Sequence, residues 1–206
     1  MILLNWLNAF RHRIRQRRQK QQLPSPGTST RSKRLSRLTP QQIELLEERI
    51  LLVGPTTLAI SGSDLLFTDG TPNAANDILI VSDTTINQYV ITDNNNTINT
   101  SIAGASGSGT NTVTVPFSSV VATTNIIFDT LDGDDTLTID LSSGNFNKAI
   151  TFNGGTQTSG DNLKITGGTF TAVTVDYLNA NDGSIALSGL PVITYTGLEG
   201  GQRSLD

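Results

Sequence analysis

The fold is decided by the segment Phe128-Asp129-Thr130-Leu131-Asp132-Gly133-Asp134-Asp135-Thr136-Leu137-Thr138-Ile139-Asp140. It is an acidic, glycine-containing stretch that leads directly into alternating polar and apolar residues. Asp and Gly suit a tight turn, because Asp hydrogen-bonds to its own backbone and Gly accepts a positive φ angle. The alternation places Leu137, Ile139 and Leu141 on one face of a strand. The segment therefore predicts an acidic turn followed by a half-buried strand.

The same combination recurs along the chain. Weaker copies begin at Asn76-Asp77, Gly160-Asp161 and Asn181-Asp182, each followed by a short apolar run. From Thr56 onward there is no helical periodicity, and runs of β-branched residues are separated by Gly, Asn, Asp and Ser. These runs predict strands at 57–61, 77–82, 88–92, 111–115, 125–129, 136–141, 149–153, 162–166, 171–177, 184–188 and 192–196.

The spacing of these strands indicates a repeat of roughly 22 residues, with two strands in each unit. Two series carry it: Ile126, Ile150, Val173 and Val192, which lie 24, 23 and 19 residues apart, and Leu137, Leu163 and Ile185, which lie 26 and 22 apart. We therefore predict an all-β fold over 56–206, a parallel β-solenoid in which Ile150 stacks on Val173 and Leu137 on Leu163. An antiparallel β-sandwich is the alternative, since regular hairpins give similar spacing. Against it, two-residue Asn-Gly or Asp-Gly hairpin loops are scarce.

Charge divides the chain into two parts. Residues 1–53 contain eleven basic and three acidic residues, a net charge of +8, whereas 54–206 contain three basic and fifteen acidic residues, a net of −12; together these give the total of −4. Such asymmetry is typical of a tail with a function of its own. There is no cysteine, which excludes disulfides, thiolate metal sites and a cysteine nucleophile.

The basic arm is predicted to have three segments. Residues 1–20 form an amphipathic, arginine-rich segment whose Trp6 face suits an anionic membrane surface, with a weakly ordered arm as the alternative. Its apolar run is too short to span a membrane. Residues 21–38 are a disordered linker. Residues 39–53 form a helix that begins with a Thr39-Pro40 cap and ends at Gly54-Pro55. Without a recognisable fold or interleaved aromatic residues, the basic arm does not predict nucleic-acid binding.

Within this helix, the segment Leu46-Glu47-Glu48-Arg49-Ile50-Leu51-Leu52 resembles the LEPR-xLL-type segment near the N-terminus of large exported bacterial proteins. The matching residues are Leu46, Glu47, Arg49, Leu51 and Leu52, while Glu48 stands where the pattern has Pro. The tract from Asp135 to Glu199 also resembles a repetitive β-rich module of large bacterial surface proteins.

This resemblance implies an export or sorting segment that is read by the export machinery. It also implies a secreted or cell-envelope scaffold, with a cell-envelope or matrix polysaccharide as a partner. Members of that group are typically much longer, and no obvious capping element follows Leu198-Glu199. The chain is therefore compatible with a truncated N-terminal piece.

Calcium is the most specific ligand that the sequence motifs indicate. Gly133-Asp134-Asp135-Thr136-Leu137-Thr138 fits the second half of the calcium-binding nonapeptide G-G-x-G-x-D-x-U-x, which makes Asp132, Asp134 and Asp135 candidate ligands. However, the preceding glycine pair is missing, and the copies do not recur every nine residues. We therefore favour turn capping by Asp, and keep a calcium-binding, β-roll-like adhesion module as the alternative function.

The residues for catalysis are sparse. The single histidine, His12, lies in the basic arm, and Asp134 and Asp135 are adjacent, so that in an extended chain they face opposite ways. We predict a non-enzymatic structural or adhesion-type protein with no catalytic residue and no cofactor. A fragment of a carbohydrate-active β-helix enzyme is the second alternative. In that reading Tyr177 and Tyr195 are the sugar-facing candidates, although tyrosines on strands more often serve packing.

Overall fold

A computed structural model describes residues 56–70, 74–156, 159–198 and 203–205, so the three predicted arm segments lie outside the described residues. The described chain is almost entirely β-structure, as predicted, with one 3₁₀ helix at Phe117–Val120. No helix in these ranges is long and apolar enough to cross a membrane. The strands are β1 Thr56–Ser61, β2 Asp64–Thr68, β3 Asp77–Asp83, β4 Gln88–Asp93, β5 Ile98–Thr100, β6 Thr112–Pro116, β7 Asn125–Asp129, β8 Thr136–Asp140, β9 Ala149–Asn153, β10 Asn162–Thr166, β11 Val173–Tyr177, β12 Gly183–Leu187, β13 Ile193–Thr196 and β14 Arg203–Leu205.

The strands form two mixed sheets. The eight-stranded sheet has the order β11-β12-β13-β9-β7-β2-β1-β5, and the six-stranded sheet has the order β14-β10-β8-β3-β4-β6. In the first sheet β2, β7, β9 and β13 are parallel neighbours, and in the second sheet β3, β8, β10 and β14 are parallel neighbours. The chain therefore passes from one sheet to the other in the same direction four times. Antiparallel pairing adds β1, β4, β6, β11 and β12 to this arrangement.

The parallel strands are in register, so that equivalent side chains lie in rows. Inward-facing residues alternate with partly exposed ones along each central strand, and the inward set is fully buried. Each buried Phe, Ile or Leu contributes roughly 1.5–3 kcal/mol through loss of contact with water. The rows of the eight-stranded sheet are Leu65, Ile126, Ile150 and Ile193, and Phe67, Phe128, Phe152 and Tyr195. The facing rows of the six-stranded sheet are Ile78, Leu137, Leu163 and Arg203, and Ile80, Ile139 and Ile165.

One of the two predicted stacking pairs is confirmed and the other is wrong. Leu137 pairs with Leu163 in parallel register. Ile150 does not stack on Val173; its neighbours are Ile126 and Ile193. The reason is that β11 and β12 form an antiparallel hairpin that is inserted before β13, so Val173 pairs with Leu187.

The predicted stacking of Ile185 after Leu163 is wrong for the same reason. Ile185 belongs to β12 and lies in the eight-stranded sheet between Val175 and Ile193. The hairpin adds two strands to one sheet only. Strands that lie roughly 22 residues apart in the sequence are therefore not stacked neighbours in this part of the chain.

Candidate functional site

The acidic turn of residues 130–135 joins β7 in the eight-stranded sheet to β8 in the six-stranded sheet. It lies against the turn that follows β9. Gly133 N donates to Thr156 O at 3.0 Å, Thr156 N donates to Leu131 O at 2.9 Å, and Thr156 Oγ1 donates to Asp132 Oδ1 at 2.7 Å. Leu131 holds a positive φ of 63° to make this contact. The predicted succession of turn and strand is confirmed, and the turn packs on its neighbour through backbone hydrogen bonds.

Asp134 and Asp135 face opposite ways, as predicted. Asp134 is exposed, and its Oδ1 accepts hydrogen bonds from Ser159 N at 2.7 Å and Gly160 N at 3.2 Å. Asp135 is fully buried, and its Oδ1 accepts a hydrogen bond from Asn76 N at 2.7 Å. Both carboxylates therefore serve backbone groups of neighbouring turns.

Asp135 is the middle member of a buried polar ladder, defined here as Asn76, Asp135 and Asp161. Each of the three immediately precedes a parallel strand of the six-stranded sheet, namely β3, β8 or β10. Asp161 Oδ1 accepts a hydrogen bond from Asp135 N at 2.8 Å, just as Asp135 accepts one from Asn76. The ladder thus satisfies the backbone N–H groups at the strand entrances, which water cannot reach.

The ladder corrects the alignment of the acidic copies. Asn76, not Asp77, is equivalent to Asp135, because Asp77 pairs with Thr136 inside the strand. The Asn181-Asp182 copy precedes β12 as expected, but it belongs to the β11–β12 hairpin and does not join the ladder. Asp182 instead accepts a hydrogen bond from Gly197 N at 3.0 Å, which lowers the pKa of its carboxyl.

The surroundings of Asp135 oppose its ionisation. Burial raises the pKa of Asp135 to about 6, and the carboxylates of Asp69 and Asp93 add repulsion, while the hydrogen bond from Asn76 partly offsets the increase. Asp69 is itself buried and accepts a hydrogen bond from Thr56 Oγ1 at 2.9 Å. A buried carboxyl of this kind prefers the neutral form.

The calcium candidates are not brought together around one point. Asp132 and Asp134 accept hydrogen bonds from the connection between β9 and β10, whereas Asp135 accepts one from Asn76, before β3. Across the described ranges, no group of three or more acidic, histidine or cysteine side chains is placed to hold a metal ion. A cation at this turn would have to compete with N–H and O–H donors that already occupy these carboxylate oxygens.

A second candidate site lies where β11, β12 and β13 adjoin β14. It is a groove of about 470 Å³, called here the tyrosine groove, and it is lined by Asp176, Tyr177, Leu178, Asp182, Gly183, Ser184, Thr194, Tyr195 and Thr196. Tyr177, Gly183 and Tyr195 occupy one row across the three strands. Since Gly183 has no side chain, the Tyr195 hydroxyl occupies the space above it. A Cβ atom at Gly183 would collide with the Tyr195 hydroxyl.

Arg203 completes the tyrosine groove. Its Cζ lies 4.5 Å from the ring centroid of Tyr195 and 5.4 Å from that of Tyr177, and its Nη2 donates to Ala180 O at 3.0 Å. Both distances are in the range of cation–π interactions. Tyr177 is 66% exposed, whereas Tyr195 is fully buried, and burial raises the pKa of the Tyr195 phenol. Sequence analysis named both tyrosines but missed Arg203, because three residues of β14 are too few to show an alternation.

The remaining basic side chains of the described region lie elsewhere. Lys148 is buried, its Nζ donates to Thr123 O, and burial lowers its pKa. Lys164 is exposed on β10. Lys148 therefore has a structural contact, and neither lysine lines the tyrosine groove.

The sorting-motif residues Leu46, Glu47, Arg49, Leu51 and Leu52 lie outside the described residues. No protein family, curated protein or solved structure matches the chain.

Proposed function

We propose that residues 56–206 form a β-solenoid that acts as a non-enzymatic scaffold of the cell envelope or the secreted matrix, and that residues 1–53 deliver it there. The observation that carries this proposal is the set of parallel, in-register rows such as Phe67, Phe128 and Phe152. A β-sandwich joins its strands by antiparallel hairpins and Greek-key connections. A solenoid produces parallel rows because each turn of the chain repeats the path of the previous one.

The polar contacts support a structural role. On the outer face of the eight-stranded sheet, Thr151 Oγ1 and Thr194 Oγ1 are 2.9 Å apart, and Asn125 Nδ2 donates to Asp64 Oδ1 at 2.7 Å. Such cross-strand pairs each contribute roughly 0.2–1 kcal/mol. Together with the buried polar ladder, they commit many acidic and hydroxyl side chains to holding successive strands together.

The stacking order is tested by engineered disulfides, for which the cysteine-free chain is a clean background. Thr151 and Thr194 lie directly opposite on β9 and β13. The double variant Thr151→Cys with Thr194→Cys is expected to form an intramolecular disulfide on oxidation, detected by a gel shift and mass spectrometry. Thr151→Cys with Thr174→Cys is the matched control, since it tests the register in which β9 would stack on β11. Preferential cross-linking of the control pair would overturn the strand order in which β9 lies beside β13, and failure of both pairs to cross-link would overturn the solenoid proposal.

The N-terminal arm is proposed to be the address. Its net charge of +8 and its apolar face around Trp6 suit the anionic cytoplasmic surface of a membrane, where charge and apolar area act together. The helix with Glu47, Arg49, Leu51 and Leu52 is then the part that the export or sorting machinery reads.

Cell fractionation tests the address. Residues 1–53 fused to a passive reporter are expected to move the reporter to the envelope or the medium of the native host. The double variant Arg49→Ala with Leu51→Ala should leave it in the cytosol, whereas Gln41→Ala, outside the motif, should not. A wild-type fusion that stays cytosolic, or a double variant that localises normally, would remove the proposed role of the arm.

A further inference from the structure

We propose that the tyrosine groove binds a neutral saccharide, with Tyr177 as the stacking platform and Tyr195 and Arg203 as the polar groups that recognise sugar hydroxyls. This inference rests on the proposed scaffold function for its biological setting and identifies a ligand class for it. The binding site itself is argued from three observations at the end of the two sheets.

The first observation is that the apolar rows change character at their fourth position. The aromatic row continues Phe67, Phe128 and Phe152 with Tyr195, and the facing row continues Ile78, Leu137 and Leu163 with Arg203. A core built only for packing would continue with apolar residues here. The two replacements face each other, with the guanidinium of Arg203 over the Tyr195 ring.

The second observation is that two buried polar atoms at this position have no hydrogen-bond partner among the residues that the structure describes. They are the Tyr195 hydroxyl and Arg203 Nε. Buried polar groups of proteins are nearly always paired, and leaving one unpaired costs about 1–3 kcal/mol. Tyr195 lines the groove, with its hydroxyl beside Gly183, and Arg203 packs against the rings of Tyr177 and Tyr195. A ligand that carries hydroxyl groups supplies the missing partners.

The third observation is the exposed ring of Tyr177, which lies two strands from Tyr195 in the same row, about 9.5 Å away at the normal strand spacing. Tyr177 is 66% exposed, whereas Gly183 next to it in the row is partly exposed and Tyr195 is buried. The C–H face of a sugar ring packs on such an aromatic face, while its hydroxyl groups remain available for hydrogen bonds. Gly183 leaves room above its backbone for the Tyr195 hydroxyl.

The charges of the groove favour an uncharged ligand. Asp176 and Asp182 line it, and the region 54–206 has a net charge of −12, which disfavours uronates and other anions. Arg203 disfavours an organic cation at the same place. A neutral sugar satisfies both constraints.

The test uses the purified full-length chain and is independent of where that chain resides in the cell. Neutral gluco-, manno- and galacto-tetrasaccharides, and a tetragalacturonate as the anionic comparison, are titrated by saturation-transfer NMR and calorimetry. We expect at least one neutral tetrasaccharide to bind, and Tyr177→Ala to weaken its affinity by about tenfold or more. Tyr195→Phe, which removes only the hydroxyl, is expected to weaken binding about fivefold or more without lowering the melting temperature.

Tyr89→Phe is the matched control. The Tyr89 hydroxyl is also buried, but it donates to Asn147 Oδ1 at 2.7 Å and lies outside the groove. This variant is expected to lower the melting temperature and to leave saccharide affinity unchanged. Absence of binding by every neutral saccharide, tighter binding of tetragalacturonate, or full affinity in Tyr177→Ala or Tyr195→Phe would overturn the inference. The address experiment with residues 1–53 is unaffected by any of these outcomes.

Discussion

Asp135 accepts a backbone hydrogen bond, but its burial makes ionisation of its carboxyl group unfavourable. Its carboxylate accepts the N–H of Asn76, but burial raises its pKa to about 6 from an ordinary value of 3.8. The folded state therefore binds this proton more tightly than the unfolded state does. The contribution of Asp135 to stability is greatest below about pH 4 and decreases as the pH rises to about 6, by roughly 3 kcal/mol at 1.36 kcal/mol for each pKa unit.

Asp135→Asn is therefore expected to stabilise the protein at pH 8. An amide oxygen can accept the same hydrogen bond from Asn76 N, and no charge is then buried. The gain should be about 1–3 kcal/mol at pH 8 and should shrink toward pH 4, as measured by urea unfolding at several pH values.

The neighbouring Asp134→Asn is the control for this effect. Asp134 is exposed, so its replacement removes no buried charge and should give no comparable stabilisation at pH 8. A lower stability of Asp135→Asn at pH 8 would contradict the argument that ionisation of the buried carboxyl is the unfavourable step.

The hydrogen bonds of individual residues also bear on the alternative function, a calcium-binding module. Because Asp132, Asp134 and Asp135 already accept hydrogen bonds from protein N–H and O–H groups, we expect calcium to change the melting temperature little. The measurement is a thermal melt with and without millimolar calcium, repeated with magnesium. The calcium-binding module would be restored as a function if calcium raised the melting temperature, magnesium did not, and Asp135→Ala abolished the calcium effect.

At the scale of elements, the sequence pattern located most strands because alternation is a local property. Eleven predicted segments correspond to strands, and the burial pattern of β8 follows the alternation of Leu137 and Ile139. Strand β2 was not predicted, because its hairpin with β1 turns on Gly62-Ser63, with a φ of 61° at Gly62, and this pair is a weaker turn signal than Asn-Gly or Asp-Gly.

Stacking order could not be obtained from the same pattern. The spacing of strands along the chain is the same whether the next two strands stack in parallel or form a hairpin that is added to one sheet. Strands β11 and β12 form such a hairpin. The tyrosine groove depends on that choice, because only the hairpin brings Tyr177 and Gly183 into the row of Tyr195. The two tyrosines could be proposed from composition, but their geometry with Arg203 could not.

The stacked turns allow a prediction with a built-in comparison between two glycines. Gly155 and Gly189 have nearly the same φ, 80° and 82°. A Cβ atom at Gly155 would collide with Leu131 O in the neighbouring turn, whereas one at Gly189 would meet nothing within 4 Å. Gly189→Ala should therefore cost only the backbone strain, about 1–2 kcal/mol, and Gly155→Ala clearly more.

Chemical unfolding of the two variants at one pH measures this difference directly. Equal losses of stability would mean that the turn after β9 does not pack on the acidic turn as tightly as described. The comparison isolates turn stacking, since the backbone conformation is nearly the same at both positions.

At the scale of the described region as a whole, the two ends of the parallel arrangement differ. Beyond β2 and β3, further strands extend both sheets, and Ile98, Val113, Val115 and Val120 are buried there. Beyond β13 and β14, the β11–β12 hairpin extends only the eight-stranded sheet. Its last strand, β11, is mostly exposed, with Val173 45% exposed.

This asymmetry predicts a gradient of local stability along the sheets. Strands β7 and β9 each have a neighbouring strand on both sides, and their inward-facing side chains belong to the buried core. Their amides should therefore exchange with solvent only on global unfolding. Amides of β11 have one neighbouring strand and little buried apolar surface, so they should exchange faster by on the order of a hundredfold or more. Hydrogen exchange followed by mass spectrometry or NMR measures both sets of amides in one experiment. Strand β12 serves as the intermediate reference, because it has two neighbouring strands but belongs to the same hairpin as β11. If β11 were as well protected as β7, a further surface would have to cover it in solution, contrary to its exposure in this structure.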